Sequence, residues 1–598
     1  MGDIIKLKKG LKANRPALAL SELTSDNDAG NERLIYGGIN GSVEFPNMKD
    51  IDKLTSNLTD IVQYNVKNFG AKGNGTNDDT VSIQNAINAI KLNGGGSLYF
   101  PNGTYLVTNS IMICSNLKMY GDKKSIITGA IDLIRNFVAG EGDSNINNNM
   151  KNIEIYNLIF KSTSIVFSEF VHLITMSFVS NIKIHDCSFI GWQGDALAFG
   201  GSADVYGAIR HNTDVHIWNC EFDGINGDNR QAITFTDIDG CLIESCNFKN
   251  TTRSNMPGAI DFEPNSLPIE SIIKNATVRN CTFENIGGMA GAITLYLPNA
   301  QETMTTASEN INVIGNTFKS CRNMFLFSQP VSTKDITNKI IVNNNTSDKC
   351  YPFEVFGVSG IEISNNTFKY SSGNANLGGS LSDGLKLARH IVLKGNIFDG
   401  MGRLTSQAIA LFSCDDLIIS KNIFKDCGVQ TQSTGYGISV ASVARLTNTK
   451  IIENVFKNDF TTAMLYSIVA QPSVTLVNFE YANNTHESGI TEHILAIWNR
   501  GEIKSYERND LTGNSPPSAF SNGTTYTHCN LTVGIPNDVT NGLGLMVTSK
   551  QIGASTLYTN HLIAQIIYPN NPANKFIYKR FGTYGVDVWD AWCKILSA

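Results

Sequence analysis

One short pattern recurs along this chain and limits what it can fold into. "IKIHDCSF" (182–189) is followed by "VHIWNCEF" (215–222), "LIESCNF" (242–248), "ATVRNCTF" (276–283) and "INVIGNTF" (311–318). It resumes as "IEISNNTF" (361–368), "IVLKGNIF" (391–398), "LIISKNIF" (417–424) and "KIIENVF" (450–456), with "IIVNNNTS" (340–347) a degenerate copy. The phenylalanines 189, 222, 248, 283 and 318 lie 33, 26, 35 and 35 positions apart, and Phe368, Phe398, Phe424 and Phe456 follow at 30, 26 and 32. A repeat of this length cannot bury its own apolar residues and must stack on its copies. Each copy is a short, β-branched, alternating segment with no 3.6-residue period, so the units are β-coils rather than helix pairs. The expectation is an all-β chain built on a parallel β-helix.

Two positions before each Phe stand Cys187, Cys220, Cys246 and Cys281, then Asn316, Asn366, Asn396, Asn422 and Asn454. Equivalent positions of stacked coils lie about 4.8 Å apart, so like residues form ladders. Asparagines in such a column hydrogen-bond along it, and cysteines act as small buried apolar groups. The twelve cysteines therefore read as packing residues rather than a disulfide framework, and none falls in a CxxC pair that would suggest zinc.

The 598 residues exceed an ordinary compact domain but suit an elongated repeat. A net charge of −6 offers no electrostatic footprint for nucleic acid. No segment reaches the roughly 18 apolar residues needed to cross a bilayer, so no membrane insertion is expected. "STSIVFSEFVHLITMSFVS" (162–180) carries Glu169, His172 and hydroxyls, and reads as paired strands. The start, "MGDIIKLKKGLKANRP", shows no secretory leader, which suggests synthesis and assembly in a cytoplasm.

The stretch "VKNFGAKGNGTNDDTVSIQNAINAIKLNGGGSLYFPNGTYLV" (66–107) places a helix near 79–92, capped by Asp79 or Thr80, with an apolar face of Val81, Ile83, Ala86, Ile87 and Ile90. Gly94 to Gly96 stop it, and two strands follow. This stretch resembles the opening of the pectate-lyase-like superfamily, where such a helix covers the first coil of a right-handed parallel β-helix. The resemblance makes Asp78 and Asp79 structural.

Three parts are expected: 1–60, a β-helix over 61–498, and a β-rich region over 499–598. "IKLKKGLKANRPALALSELTSDNDAGNERLIYGGINGSVEFPN" (5–47) resembles the module that opens many tail-fibre and tailspike proteins of phages of Gram-positive bacteria, which attaches a spike to the virion through tail or neck proteins. Residues 543–596, with "QIIY" and "WDAW", resemble the C-terminal knob of phage fibres, with Trp589 and Trp592 read as packing residues.

Aligning the strands next to the ladder locates a candidate site. "QAITFT" (231–236), "GAIDFE" (258–263) and "GAITLY" (291–296) superimpose without gaps, and "DALAFG" (195–200) joins one coil earlier. Thr234, Asp261 and Thr294 then share one outward column, and Thr236, Glu263 and Tyr296 the next. Asp261 and Glu263 have Cα atoms roughly 6.6 Å apart on one face. Asp195 enters at the same edge as Gln231, with Arg230 beside it and Asp228 in the preceding turn. Acids on a sheet exterior are ordinarily a solvated face. Here they occupy consecutive coils among small alanines, which suggests a groove with convergent carboxylates.

Residues 229–265 resemble a signature of bacterial and phage β-helix proteins, Arg-Gln-Gly-Ile, a Cys-x-Phe rung, then Gly-Ile-Asp-[IF]-Glu-Pro-Asn, with Ala for Gly at 232 and 259. Its bearers include preneck-appendage tailspikes of short-tailed phages, some of which degrade wall teichoic acid. The resemblance puts function on Arg230, Asp261 and Glu263. Asp261 and Glu263 become an acid/base pair, with Asp195 as third acid or base. Arg230 is a substrate clamp, Asp228 a supporting acid, and Tyr296 a substrate-binding ring. No cofactor is required, although carboxylates of this kind could hold Ca2+ or Mg2+. His185 and His216 lie on ladder strands away from the groove, and His211 in a loop expected to overhang it.

The expectation is a virion tail appendage, homotrimeric like such spikes, that binds and hydrolyses a Gram-positive cell-wall glycopolymer, either wall teichoic acid or exopolysaccharide. A non-enzymatic adhesin on the same scaffold, or a polysaccharide lyase, are the alternatives.

Overall fold

The computed structural model describes residues 63–136 and most of 150–498, together with separate strands within 7–44 and 506–596. Two compact units divide the chain, Met1–Thr163 with Val179–Ser188, and Ser164–Phe178 with Phe189–Ala598. The architecture is a right-handed parallel β-helix, all-β apart from short helical pieces.

In the first unit, helix α1 (Thr80–Leu92) buries Ile83, Ala86, Ile87 and Ile90. Val81 is 68% exposed and does not belong to the apolar face assigned to it from the sequence. Capping also differs. Asp79 occupies the cap position, but its carboxylate accepts the backbone N–H groups of Lys72 and Gly73 instead. The Thr80 N–H donates to Asp78 Oδ1 at 3.0 Å, and the Thr108 hydroxyl donates to Asp78 Oδ2 at 2.6 Å. These hydrogen bonds hold the Asp78 carboxyl below its usual range. Both acids are thus structural. Strands Gly96–Phe100 and Leu117–Gly129 pair in parallel beyond the helix. On their outer face, the rings of Tyr120, Tyr156 and His185 stack at 5.1 and 5.0 Å.

In the second unit, one sheet runs through β1 (Ile174–Ser177), β2 (Leu197–Gly200), β3 (Ile233–Phe235), β4 (Ile260–Phe262) and β5 (Ile293–Tyr296), then onward to Thr491–Ile494, all in parallel register. The ladder motif forms the other wall, where a left-handed residue bends each copy into two short strands. Asn219, Ser245, Asn280, Asn365 and Lys421 take φ between 52° and 58° there. Asparagine tolerates this region best, and Gly315 and Gly395 occupy it in other copies.

The ladders form as expected. Phe189, Phe222, Phe248, Phe283 and Phe318 stack at 4.7–4.9 Å, and the column resumes from Phe368 to Phe456 at 4.7–4.9 Å. The degenerate copy inserts Ser347 in this column, yet its Asn345 keeps the polar one intact. Asn316, Asn345, Asn366, Asn396, Asn422 and Asn454 are buried, and each amide donates to the next carbonyl at 2.9–3.0 Å. The ten cysteines described are free and buried, and burial pushes the Cys241 and Cys427 thiols up to about 12.

The N-terminal strands form a four-stranded sheet, and the strands of 506–596 a largely antiparallel one. Beyond their backbones, the expected roles of 1–60 and 499–598, including Trp592, fall outside the described residues. Among the described residues no helix is long and apolar enough to cross a membrane.

Asn396 tests the polar column directly. It donates to Ile363 O and Asn422 Oδ1 while accepting from the Asn366 backbone and amide. Asn396→Ala strands several buried groups at once, and chemical denaturation should show a loss of about 3 kcal/mol. Asn396→Asp, which cannot donate, should be no better.

Candidate active site

The register that brings the acids together is the one read from the sequence. Ala198 pairs with Thr234, Thr234 with Asp261, and Asp261 with Thr294. Asp195 stands at the edge shared with Gln231, since Ala196 N–H donates to Gln231 O. Above that edge lie Gly258 and Gly291. A Cβ at Gly258 would come within 1.7 Å of Gly291 O, so only glycine allows these coils to close here.

Arg230 is the centre of the cluster. Its Nε lies 3.3 Å from Asp195 Oδ1 and donates to Gln231 Oε1 at 3.0 Å, while Nη1 reaches Glu169 Oε1 at 3.5 Å. Gln231 Nε2 in turn donates to Asp261 Oδ2 at 2.9 Å. Arg230 and Gln231 therefore connect acids carried by successive coils.

Burial separates the carboxyls. Asp195 and Asp261 are buried, whereas Glu263 is only partly covered. Burial raises the Asp195 carboxyl, opposed by the Arg230 guanidinium beside it. Burial and then the Glu263 charge push Asp261 well above the usual carboxylate range. Its Oδ1 has no hydrogen-bond partner among the described residues, nor does the Thr294 hydroxyl on the next coil. A buried carboxylate oxygen left this way favours the protonated acid. Glu263 is raised too, by burial and Asp195 against the pull of Arg230. Its N–H donates to Phe235 O, fixing its backbone just beyond β4.

The outward column is thus legible in the sequence, but its openness is not. Asp261 is covered, and Ala196, Ala232, Ala259 and Ala292 are completely buried, so they do not line an open groove. Tyr296 ends β5 at 41% exposure. Asp228 lies outside the described residues.

Two residues of the site were not assigned from the sequence. Residues 166–173 form no strand, in contrast to the paired strands expected of 162–180, and strand structure begins only at β1. This segment is held to the Asp195 coil by Ser168 N–H donating to Gln193 O and Gly194 N–H to Val171 O. It carries Glu169 to Arg230 and His172 to Asp195. The Asp195 N–H donates to His172 Nδ1 at 2.9 Å, so the ring proton resides on Nε2, and the 3.4 Å approach of Nδ1 to Oδ2 is a packing contact. The only signal was a Glu and a His inside an otherwise apolar run.

The other histidines pair locally. His185 contacts Asp186 and Glu154, and His216 contacts Glu244, both on ladder strands as expected. His211 Nδ1 lies 2.8 Å from buried Asp237. Among the described residues no group of three or more His, Cys, Asp or Glu is arranged to hold a metal ion.

Two family models match the chain, one described as rhamnogalacturonase A/epimerase, pectate lyase-like, over residues 63–283, the other as right handed beta helix region over 303–480. With the stacked coils, these matches make it a right-handed β-helix protein. The β-helix protein is similar to plasmin and fibronectin-binding protein A of Streptococcus pneumoniae, 23% identical over 419 residues, or 64% of this chain and 52% of that protein. It thus spans about half the length of that relative. A segment of 47 residues is 53% identical to mannuronan C5-epimerase AlgE4 of Azotobacter vinelandii, covering 8% of each chain. Among solved structures, the tailspike of E. coli bacteriophage HK620 shares the fold, with a TM-score of 0.53 and 13% identity over 94% of this chain and 96% of that one.

The raised Asp261 carboxyl has a stability consequence. A folded-state pKa above the unfolded value means that the folded state holds the proton more tightly, so stability declines as pH rises from near 3.8 through the folded pKa. Asp261→Asn removes that penalty and keeps an acceptor for Gln231. Denaturation at acidic and neutral pH should show the variant gaining on wild type as pH rises.

Proposed function

We propose that this protein binds and hydrolyses a glycopolymer of a Gram-positive cell surface, wall teichoic acid or exopolysaccharide. The observation that carries the reading is the convergence of Asp195, Asp261 and Glu263 on one arginine, with all three carboxyls raised by burial. Carboxyls of raised pKa beside a fixed cation suit acid–base cleavage of a glycosidic or phosphodiester bond.

Glu263, the least covered of the three, is the general acid that protonates the leaving oxygen. Asp195, with Arg230 Nε 3.3 Å from its Oδ1, is the base that orients water. Asp261 is a buried partner whose Oδ2 accepts from Gln231, a narrower role than direct acid–base work. Arg230 meets the substrate, Tyr296 offers a ring further along the sheet, and Asp228 is a supporting acid. No step needs a bound Ca2+ or Mg2+, because Arg230 supplies the positive charge.

In this reading the protein is a tailspike, trimeric in the virion and joined to the tail or neck through its N-terminal region. The relation to the HK620 tailspike supports the scaffold, and the resemblance of residues 5–47 supports the attachment. The relative named for plasmin and fibronectin binding favours a second reading, an adhesin that holds its target without cutting it.

Purified wall teichoic acid and exopolysaccharide, incubated with wild type and Glu263→Gln and followed by chain length on gels, separate the two. Hydrolysis predicts shortening by wild type and a fall of roughly 10²-fold or more in the variant. Binding with unaltered chain length in both samples would make the protein an adhesin. With Glu263 as the acid, wild-type activity should also decline as pH rises through its elevated pKa, leaving the neutral-side limb displaced upward from an ordinary glutamate.

A further inference from the structure

The segment 166–173 presents an unusual surface beside Arg230. Phe170 is 78% exposed and Val166 is 71% exposed, on a stretch otherwise fixed to its neighbours. Gln193 Nε2 donates to Val166 O at 3.1 Å, and the Arg253 guanidinium lies 3.6 Å from the centre of the Phe167 ring. A Cβ at Gly194 would meet Val171 O at 2.7 Å and His172 Nδ1 at 2.9 Å, so the segment lies against the Asp195 coil with no room to spare. A fixed stretch that turns a Phe ring to solvent leaves apolar area uncovered next to a charged centre.

Glu169, immediately before Phe170, supplies the second observation. Its carboxylate is half exposed and meets Arg230 Nη1 only at 3.5 Å, while Asp195 holds the Nε edge of the same guanidinium from within. An ion pair of this length, with its acid half exposed to water, is weak and readily exchanged. The guanidinium fork suits a planar or tetrahedral oxyanion, which could take the place of the Glu169 carboxylate without disturbing Asp195.

We propose that residues 166–170 and Arg230 form an anionic-sugar subsite. A phosphate or carboxylate of the polymer displaces Glu169 from Arg230, and an adjoining sugar or polyol face covers Phe170. Glu169 is then a built-in competitor that admits anions and gives neutral glycans nothing to displace. The proposal rests on placing the substrate site at this cluster, but not on cleavage.

Binding is measured with the full chain carrying Glu263→Gln, and in parallel with wild type in the cold to guard against a folding defect in that background. The probes are poly(glycerol phosphate), polygalacturonate and neutral dextran, at low and high salt. Glu169→Gln should tighten the anionic probes roughly two- to fivefold, with the larger response reporting whether phosphate or carboxylate is preferred, and leave dextran unchanged. Phe170→Ser should weaken the favoured probe by about tenfold or more. Anionic binding that is absent, that weakens or stays level in Glu169→Gln, or that ignores Phe170→Ser overturns the proposal. If the binding pattern holds while wild type leaves every polymer intact, the subsite stands and the hydrolytic reading falls.

Discussion

The stacking of parallel coils at one strand spacing is the constraint on which everything else depends. Each coil contributes too little apolar area to fold alone, so its stability comes from the coils above and below. The buried asparagine column makes that stacking register-specific. Each amide satisfies the backbone of one neighbour and the side chain of another, and a slip of one residue would leave donors and acceptors buried without partners. The phenylalanine column is more forgiving. It admits Ser347 in one copy, although that buried hydroxyl has no hydrogen-bond partner among the described residues.

The same register builds the candidate site. Once the ladder wall is fixed, β3, β4 and β5 have no freedom to shift, and residues 27 or more positions apart in the chain become adjacent. Asp195, Arg230 and Asp261 come from three coils and could not be assembled by local structure. Glycines at 258 and 291 allow the coils to close beside them. The electrostatic character follows from that closure. Burial raises the acids, a single guanidinium offsets part of the cost, and the gradient from covered Asp261 to partly open Glu263 separates groups that look equivalent as letters.

The comparisons agree with this division between scaffold and site. Proteins named for plasmin and fibronectin binding, for epimerisation and for a phage tailspike share sequence or fold with this one, so the scaffold alone selects none of those activities. The activity rests on the particular side chains its coils carry, above all Arg230 held between a buried and an exposed acid.

The sequence by itself determined the coil repeat, the ladders, the covering helix and the pairing of Asp261 with Thr234 and Thr294. Each of these follows from a period or a local preference that repeats in the chain, so it can be read from spacing. Tertiary structure alone decided the rest. Alternation marks Asp261 as facing away from the coil interior, but its burial depends on residues distant in sequence. Val81 falls at a plausible helical position and still faces solvent, because the position of the coil beneath decides which side of the helix is covered. Glu169 and His172 sat unrecognised in an apolar run, since their partners are Arg230 and Asp195, on coils that only the stacked fold brings beside them.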